Sequence, residues 1–127
     1  MANKSKAKGT RAETRVRNYL EKHGFIARRQ ALAGSEDKGD IEAYAPDSID
    51  KIIIEVKAGN QTLAPNRSQI NEWCRQTLVE TKNANASLGV LVVVRCNRAL
   101  IDADVYQPFE NNKRMHWYLE DWVNEFG

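Results

Sequence analysis

Apolar positions recur along this chain with two periods, and the switches between them outline its elements. Ala12, Val16, Tyr19, Leu20 and His23 fall at i, i+4, i+7, i+8 and i+11, which is one stripe of an amphipathic helix. The spacing predicts a first helix from Thr10, where Thr10-Arg-Ala-Glu13 has the form of a capping box. Gly24 supplies the stop, since glycine accepts the left-handed backbone that ends many helices. Residues 25–32 then read as a strand, 34–39 as a turn-rich loop and 40–44 as a second strand. A third strand spans 51–57, and its run Ile52-Ile53-Ile54 suits a strand buried on both faces. The helical period returns over 66–82, with Ile70, Trp73, Cys74, Thr77, Leu78 and Thr81 on one side. A fourth buried strand follows at 88–95. Residues 97–112 give no clear period, and Leu100 to Phe109 within them read as a short helix or a loop. A last strand at 115–119 and a helical turn at 120–126 complete an α-β-β-β-α-β-(β-α) order, a mixed sheet with helices on its faces.

Length and composition narrow the class. The chain has 127 residues, of which 42% are hydrophobic and 28% charged, the profile of one ordinary globular domain. No apolar run approaches the ~18 residues of a membrane span, and no apolar segment marks a signal peptide. Cys74 and Cys96 are the two cysteines; their distance in sequence excludes a disulfide framework and argues against structural zinc. A reducing cytoplasm is the expected compartment. The net charge of +2 hides an asymmetry: residues 1–29 hold nine Lys and Arg against Glu13 and Glu21, whereas residues 30–127 hold ten bases and fifteen acids. The basic end is a candidate phosphate-binding surface. Residues 1–9 alternate lysine with small polar residues and read as a flexible basic arm ahead of a single domain over 10–127.

The candidate chemistry sits at the ends of the second and third strands. Strand alternation puts Ile52, Ile54 and Val56 on one face and Ile53, Glu55 and Lys57 on the other. A buried strand thus carries a carboxylate and an ammonium at its end. Alone, Glu55-Val-Lys57 leaves open an ion pair at a solvated strand end, because Glu-x-Lys is a common sequence. Gly39-Asp40, however, opens the preceding strand, and a hairpin-like arrangement lays Asp40 beside Glu55. Adjacent carboxylates repel unless a cation lies between them, and hard oxygen ligands suit Mg²⁺ or Mn²⁺. Glu13 is either the cap of the first helix or, at the edge of its inward stripe, a third acidic group. Arg11 and Arg15 point outward from the same helix.

Taken together, Glu13, Gly39-Asp40 and Glu55-Val-Lys57 resemble the motif set of the PD-(D/E)XK nucleases. The order is that of the family: a glutamate on the first helix, an aspartate opening the second strand, Glu-x-Lys on the third. The run Gly34-Ser35-Glu36-Asp37-Lys38-Gly39-Asp40 and the ending Trp117-Tyr118-Leu119 to Trp122-Val123 are similar to archaeal-type and phage Holliday junction resolvases, over roughly residues 9–126. One departure is Gly39, where the motif name has proline. The resemblance implies a restriction-endonuclease-like α/β fold of three layers, a central mixed sheet flanked by helices. It implies a metal-dependent endonuclease acting on four-way DNA junctions as a homodimer, in a cytoplasm that for a phage enzyme is the host's. Asp40, Glu55, the Val56 carbonyl and Glu13 would hold Mg²⁺, with Mn²⁺ as a substitute, and Lys57 would orient water. Arg28, Arg29, Ser35, Lys38, Arg11 and Gln69 would contact DNA. Two alternatives stay open: a restriction- or repair-type nuclease of the same fold, and a non-catalytic nucleic-acid-binding module. Other conspicuous residues have plain readings: His23 as a helix-end histidine, His116 as an isolated strand residue, Cys74 and Cys96 as small core residues, and Trp117 and Trp122 as core.

Overall fold

The structure is a computed structural model that describes residues 4–30, 39–96 and 98–127, with side chains from Thr10 onward. Helix α1 (Lys4–Lys22) leads into β1 (Ile26–Arg29), β2 (Ile41–Tyr44) and β3 (Ile52–Lys57). Helix α2 (Arg67–Asn83), β4 (Leu88–Val93), β5 (Asp104–Pro108), β6 (Arg114–Tyr118) and α3 (Leu119–Phe126) follow. The strands form one sheet in the order β1-β2-β3-β4-β5-β6. Only β3 and β4 run parallel, with α2 as their crossover; every other neighbouring pair is antiparallel.

Two features depart from the sequence pattern. Helix α1 begins at Lys4, well before Thr10, so the expected arm carries helix over Lys4–Lys8 and Thr10 is not its cap. Lysine and alanine favour helix, and extending an existing helix costs far less than starting one. The unclear segment contains a 3₁₀ turn at Leu100–Asp102 and then β5. That strand is hard to see in the sequence because Asp104, Gln107 and Pro108 surround its short apolar centre, and its pairing on both sides comes from distant residues.

Each face of the sheet has its own cover. On one side Ala12, Val16 and Leu20 of α1 and Trp122 and Val123 of α3 pack on Ile41, Ile52, Ile54, Val56, Val90, Val92 and Val105. Burying each large aliphatic or aromatic side chain there contributes roughly 1.5–3 kcal/mol. On the other side Ile70, Trp73 and Cys74 of α2 meet Leu91, Val93 and Tyr106. Helix α2 lies close against β4 because residue 89 is glycine; a Cβ there would fall 1.8 Å from Thr81 Oγ1. Its start is set by Asn66, whose side chain accepts from the Gln69 N–H at 2.8 Å. The third strand is buried over Ile52–Val56, as its unbroken apolar run predicts, and that burial includes Glu55.

Candidate active site

The β2–β3 ladder brings the predicted carboxylates together. Its last pair is Ile41–Ile54, and one residue further the Asp40 N–H donates to the Ile54 carbonyl at 3.1 Å. The chain then reaches past the ladder: Asp40 Oδ2 accepts from the Val56 N–H at 2.8 Å. On a strand the N–H and C=O of one residue share an edge. The Val56 carbonyl therefore points along the same edge, beyond the end of β2.

Gly39 makes this turn possible. Its φ of 92° is open to glycine and closed to proline, whose ring fixes φ near −65°. A Cβ at this position would also lie 2.3 Å from Ile53 Cγ2. The glycine that departs from the motif's proline is thus what this backbone requires.

Asp40 and Glu55 touch through their carboxyl groups, and both are pushed up to about 8. For Asp40 the main cause is burial, followed by the hydrogen bond to Glu55 and its charge, with the Val56 N–H and Lys57 pulling the other way. For Glu55 burial again leads; its contact with Asp40 and the Lys57 charge favour ionisation, while the contact with Glu80 opposes it. Glu55 is 4% exposed and Glu80 1%. Lys57 makes no ion pair within 4 Å among the described residues, so its ammonium acts on the carboxylates through space and is left available.

Glu80 belongs to this centre although no motif announces it. It lies seven residues after Trp73 and three after Thr77, and so falls on the same inward face of α2. A carboxylate at an inward helical position is the signal that the sequence offers. Leu78 and Thr81, which the spacing assigns to that stripe, are only partly buried.

The other candidates divide. Glu13 is partly buried, leans toward the sheet and accepts from Arg29 Nε at 3.4 Å. Burial and the Asp40 charge raise its pKa, and Arg29 lowers it. Glu13, Arg29, Asp40 and Glu55 thus occupy one neighbourhood. Arg28 is on the opposite face of β1, where its guanidinium donates to Glu42 Oε2 at 2.6 Å; Glu42 also pairs with Lys51 at 3.7 Å. Arg11 is exposed on α1. Gln69 is exposed in the first turn of α2, where its backbone serves the Asn66 cap. Ser35 and Lys38 lie outside the described residues. Cys96 is not core; it is half-buried in the segment after β4. Nor is His116 isolated: its Nε2 is 2.7 Å from Asp104 Oδ1, and its ring stacks on Tyr106 with centroids 4.9 Å apart.

The donor set fits a hard divalent cation. Two carboxyl groups meet at a buried strand end beside the edge that carries the Val56 carbonyl, and burial is the main cause that holds both toward their protonated forms. Among the described residues no three His, Cys, Asp or Glu side chains converge into a complete cage. That is compatible with Mg²⁺, which commonly keeps several waters and binds through one or two carboxylates plus substrate phosphate.

A mixed sheet between α1/α3 and α2, with these carboxylates at the open end of its central hairpin, is a restriction-endonuclease-like α/β fold. Among solved structures it is similar to Hjc of Archaeoglobus fulgidus, a Holliday junction resolvase from an archaeal hyperthermophile. The match has a TM-score of 0.55 and 23% identity, over 88% of this chain and 89% of that one. The resemblance read from the motif set thus has a structural counterpart, and what the two chains share at this identity is the fold. The sequence matches no family model and no curated protein.

Proposed function

We propose that this chain is a metal-dependent, structure-selective DNA endonuclease that hydrolyses phosphodiester bonds at four-way junctions. The observation that carries this reading is the buried Asp40–Glu55 pair beside Lys57, which has no ion-pair partner among the described residues, at the end of two central strands. The fold shared with an archaeal resolvase supports the choice of substrate.

Asp40, Glu55 and the Val56 carbonyl would hold Mg²⁺ or Mn²⁺, with Glu13 near enough to contribute through water. A bound divalent ion neutralises charge developing on the scissile phosphate and acidifies water. Lys57 would set an attacking water and a phosphate oxygen in place; a compact ammonium with three rotatable donors suits that task. Arg29, held over the site by Glu13, would grip a flanking phosphate. Such contacts orient the strand without reading its sequence. Burial of Glu55 against α2 keeps the pair from drifting apart when charged. A four-way junction has two scissile strands related by two-fold symmetry, so a C2 homodimer would present one centre to each. Among the described residues no helix is long and apolar enough to cross a membrane.

The test is incubation with labelled four-way junction, linear duplex and single-stranded DNA, with and without Mg²⁺. Paired nicks in the junction alone, dependent on metal, are the expected result. Equal cutting of duplex would make it a nuclease of another kind, and tight junction binding without cleavage would make it a binding module.

A further inference from the structure

A cleft of about 360 Å³ opens beside the carboxylate centre, between α1 and the segments that follow β3 and β4. Two of its lining residues are chain neighbours of site residues: Ala12 adjoins Glu13, and Ala58 follows Lys57. Among the described residues four guanidinium-bearing side chains line it, Arg11 and Arg15 from α1 and Arg95 and Arg98 from the segment after β4, and no acidic or aromatic one does. Arg11, Arg15 and Arg98 make no ion pair among the described residues. Arg95 is different. Its Nε donates to Oδ2 of Asp104, which is 5% exposed and holds His116 with its other oxygen. A guanidinium has five donors, so Asp104 anchors Arg95 and leaves part of its fork for a ligand.

We propose that this cleft is a second phosphate-binding site, which holds a backbone phosphodiester of the DNA strand next to the one being cut. Like charges around a concave wall repel one another unless an anion enters, and the forked donors of arginine match phosphate oxygens in pairs. The cleft is too small for a folded macromolecule, and its described lining offers no ring on which a base could stack. It therefore holds backbone independently of sequence. Asp104 is a positioning residue here: it fixes one of the four arginines and touches no phosphate. The identity of the strand rests on the nuclease reading; the phosphate chemistry of the cleft does not.

The full chain and its Arg15→Gln/Arg98→Gln variant are titrated, without divalent metal, with a short oligothymidylate, with uncut four-way junction and with inorganic phosphate, at several salt concentrations. Both substituted side chains are exposed, and a thermal melt confirms that the fold is kept. The variant should bind oligothymidylate and junction roughly tenfold more weakly, and its slope of log affinity against log salt should be shallower by about 0.7–0.9 for each phosphate no longer neutralised. Arg15→Lys/Arg98→Lys should retain the slope while recovering only part of the affinity, because it restores charge without the fork. A folded Gln variant with wild-type affinity and slope overturns the proposal. Inorganic phosphate binding as tightly as the oligonucleotide overturns the strand-backbone assignment. A chain that cuts no junction yet shows the slope change keeps the cleft and loses the nuclease; one that cuts junctions with an unchanged slope does the reverse.

Discussion

Two buried acidic centres sit at different places in the same sheet, and they are compensated in opposite ways. Asp104, at the start of β5, is given two basic partners, Arg95 and His116. Asp40 and Glu55, at the ends of β2 and β3, are given each other and then Glu80. Lys57 is close enough to pull on both and too far to pair with either. Burying a carboxylate is costly unless a cation or hydrogen-bond donors meet it. In the first centre the chain supplies the cation, which ties β5 and β6 to the segment after β4. In the second no cation among the described residues pairs with either carboxyl, and burial holds both groups toward their protonated forms well above the usual carboxylate range. Carboxyl groups perturbed by burial and by each other in this way cluster at functional sites. The contrast supports the proposed external cation at the Asp40–Glu55 end.

The comparison can be broken most directly by removing charge at the second centre. Asp40→Asn or Glu55→Gln should cut junction cleavage by about 10³-fold or more, the scale of losing a group that organises transition-state charge, with junction binding retained. Lys57→Ala should lose a comparable factor while its melting temperature in Mg²⁺ changes little. Single-turnover cleavage and melts on the same preparations measure both. A folded Lys57→Ala protein that cleaves normally removes Lys57 from the chemistry.

The first centre should respond in stability. Asp104→Ala strands an arginine and a histidine that are only partly exposed, and should cost about 1–3 kcal/mol. Added Mg²⁺ should not restore it. Denaturant unfolding with and without metal reads this; full rescue by Mg²⁺ would mean that the two centres are not separate.

The smallest effect reads the Asp40–Glu55 centre directly. Asp40 and Glu55 have raised pKa values in the folded chain, about 8 in each case. Between the ordinary carboxylate range and pH 8 the native state therefore holds protons that the unfolded chain has released. By linkage, metal-free stability is greatest below that window and falls as pH rises through it. The melting temperature should drop between pH 5 and pH 8 without metal, and Mg²⁺ or Mn²⁺ should recover it at pH 8. Asp40→Asn keeps an acceptor for the Val56 N–H and removes one charge, so it should flatten the drop and be more stable than wild type at pH 8. A wild-type profile that is flat over this range would rule out uncompensated burial at the Asp40–Glu55 pair.

Much of this is readable in the chain itself. The unbroken run Ile52-Ile53-Ile54 determined a strand buried on both faces, and the period of two then placed Glu55 and Lys57 together on the side away from Ile54. The stripe Ala12-Val16-Leu20 determined which side of α1 meets the sheet, and the spacing of Gly39-Asp40 from Glu55 allowed the two carboxylates to meet. These are local patterns, and a local pattern is dictated by backbone geometry within a few residues. Tertiary structure alone decided the rest. It chose the Ile41–Ile54 register that lets Asp40 reach the Val56 N–H, and it set the close approach of α2 at Gly89 that brings Glu80 to Glu55. It also made a strand of Asp104–Pro108, whose composition is ambiguous until β4 and β6 flank it. The Asp104–Arg95–His116 network and the arginine cleft join residues from separate turns of the chain, with no shared period to announce them. Burial and cross-strand pairing are properties of neighbours in space, and a charge has no identifiable partner until the sheet has placed one beside it.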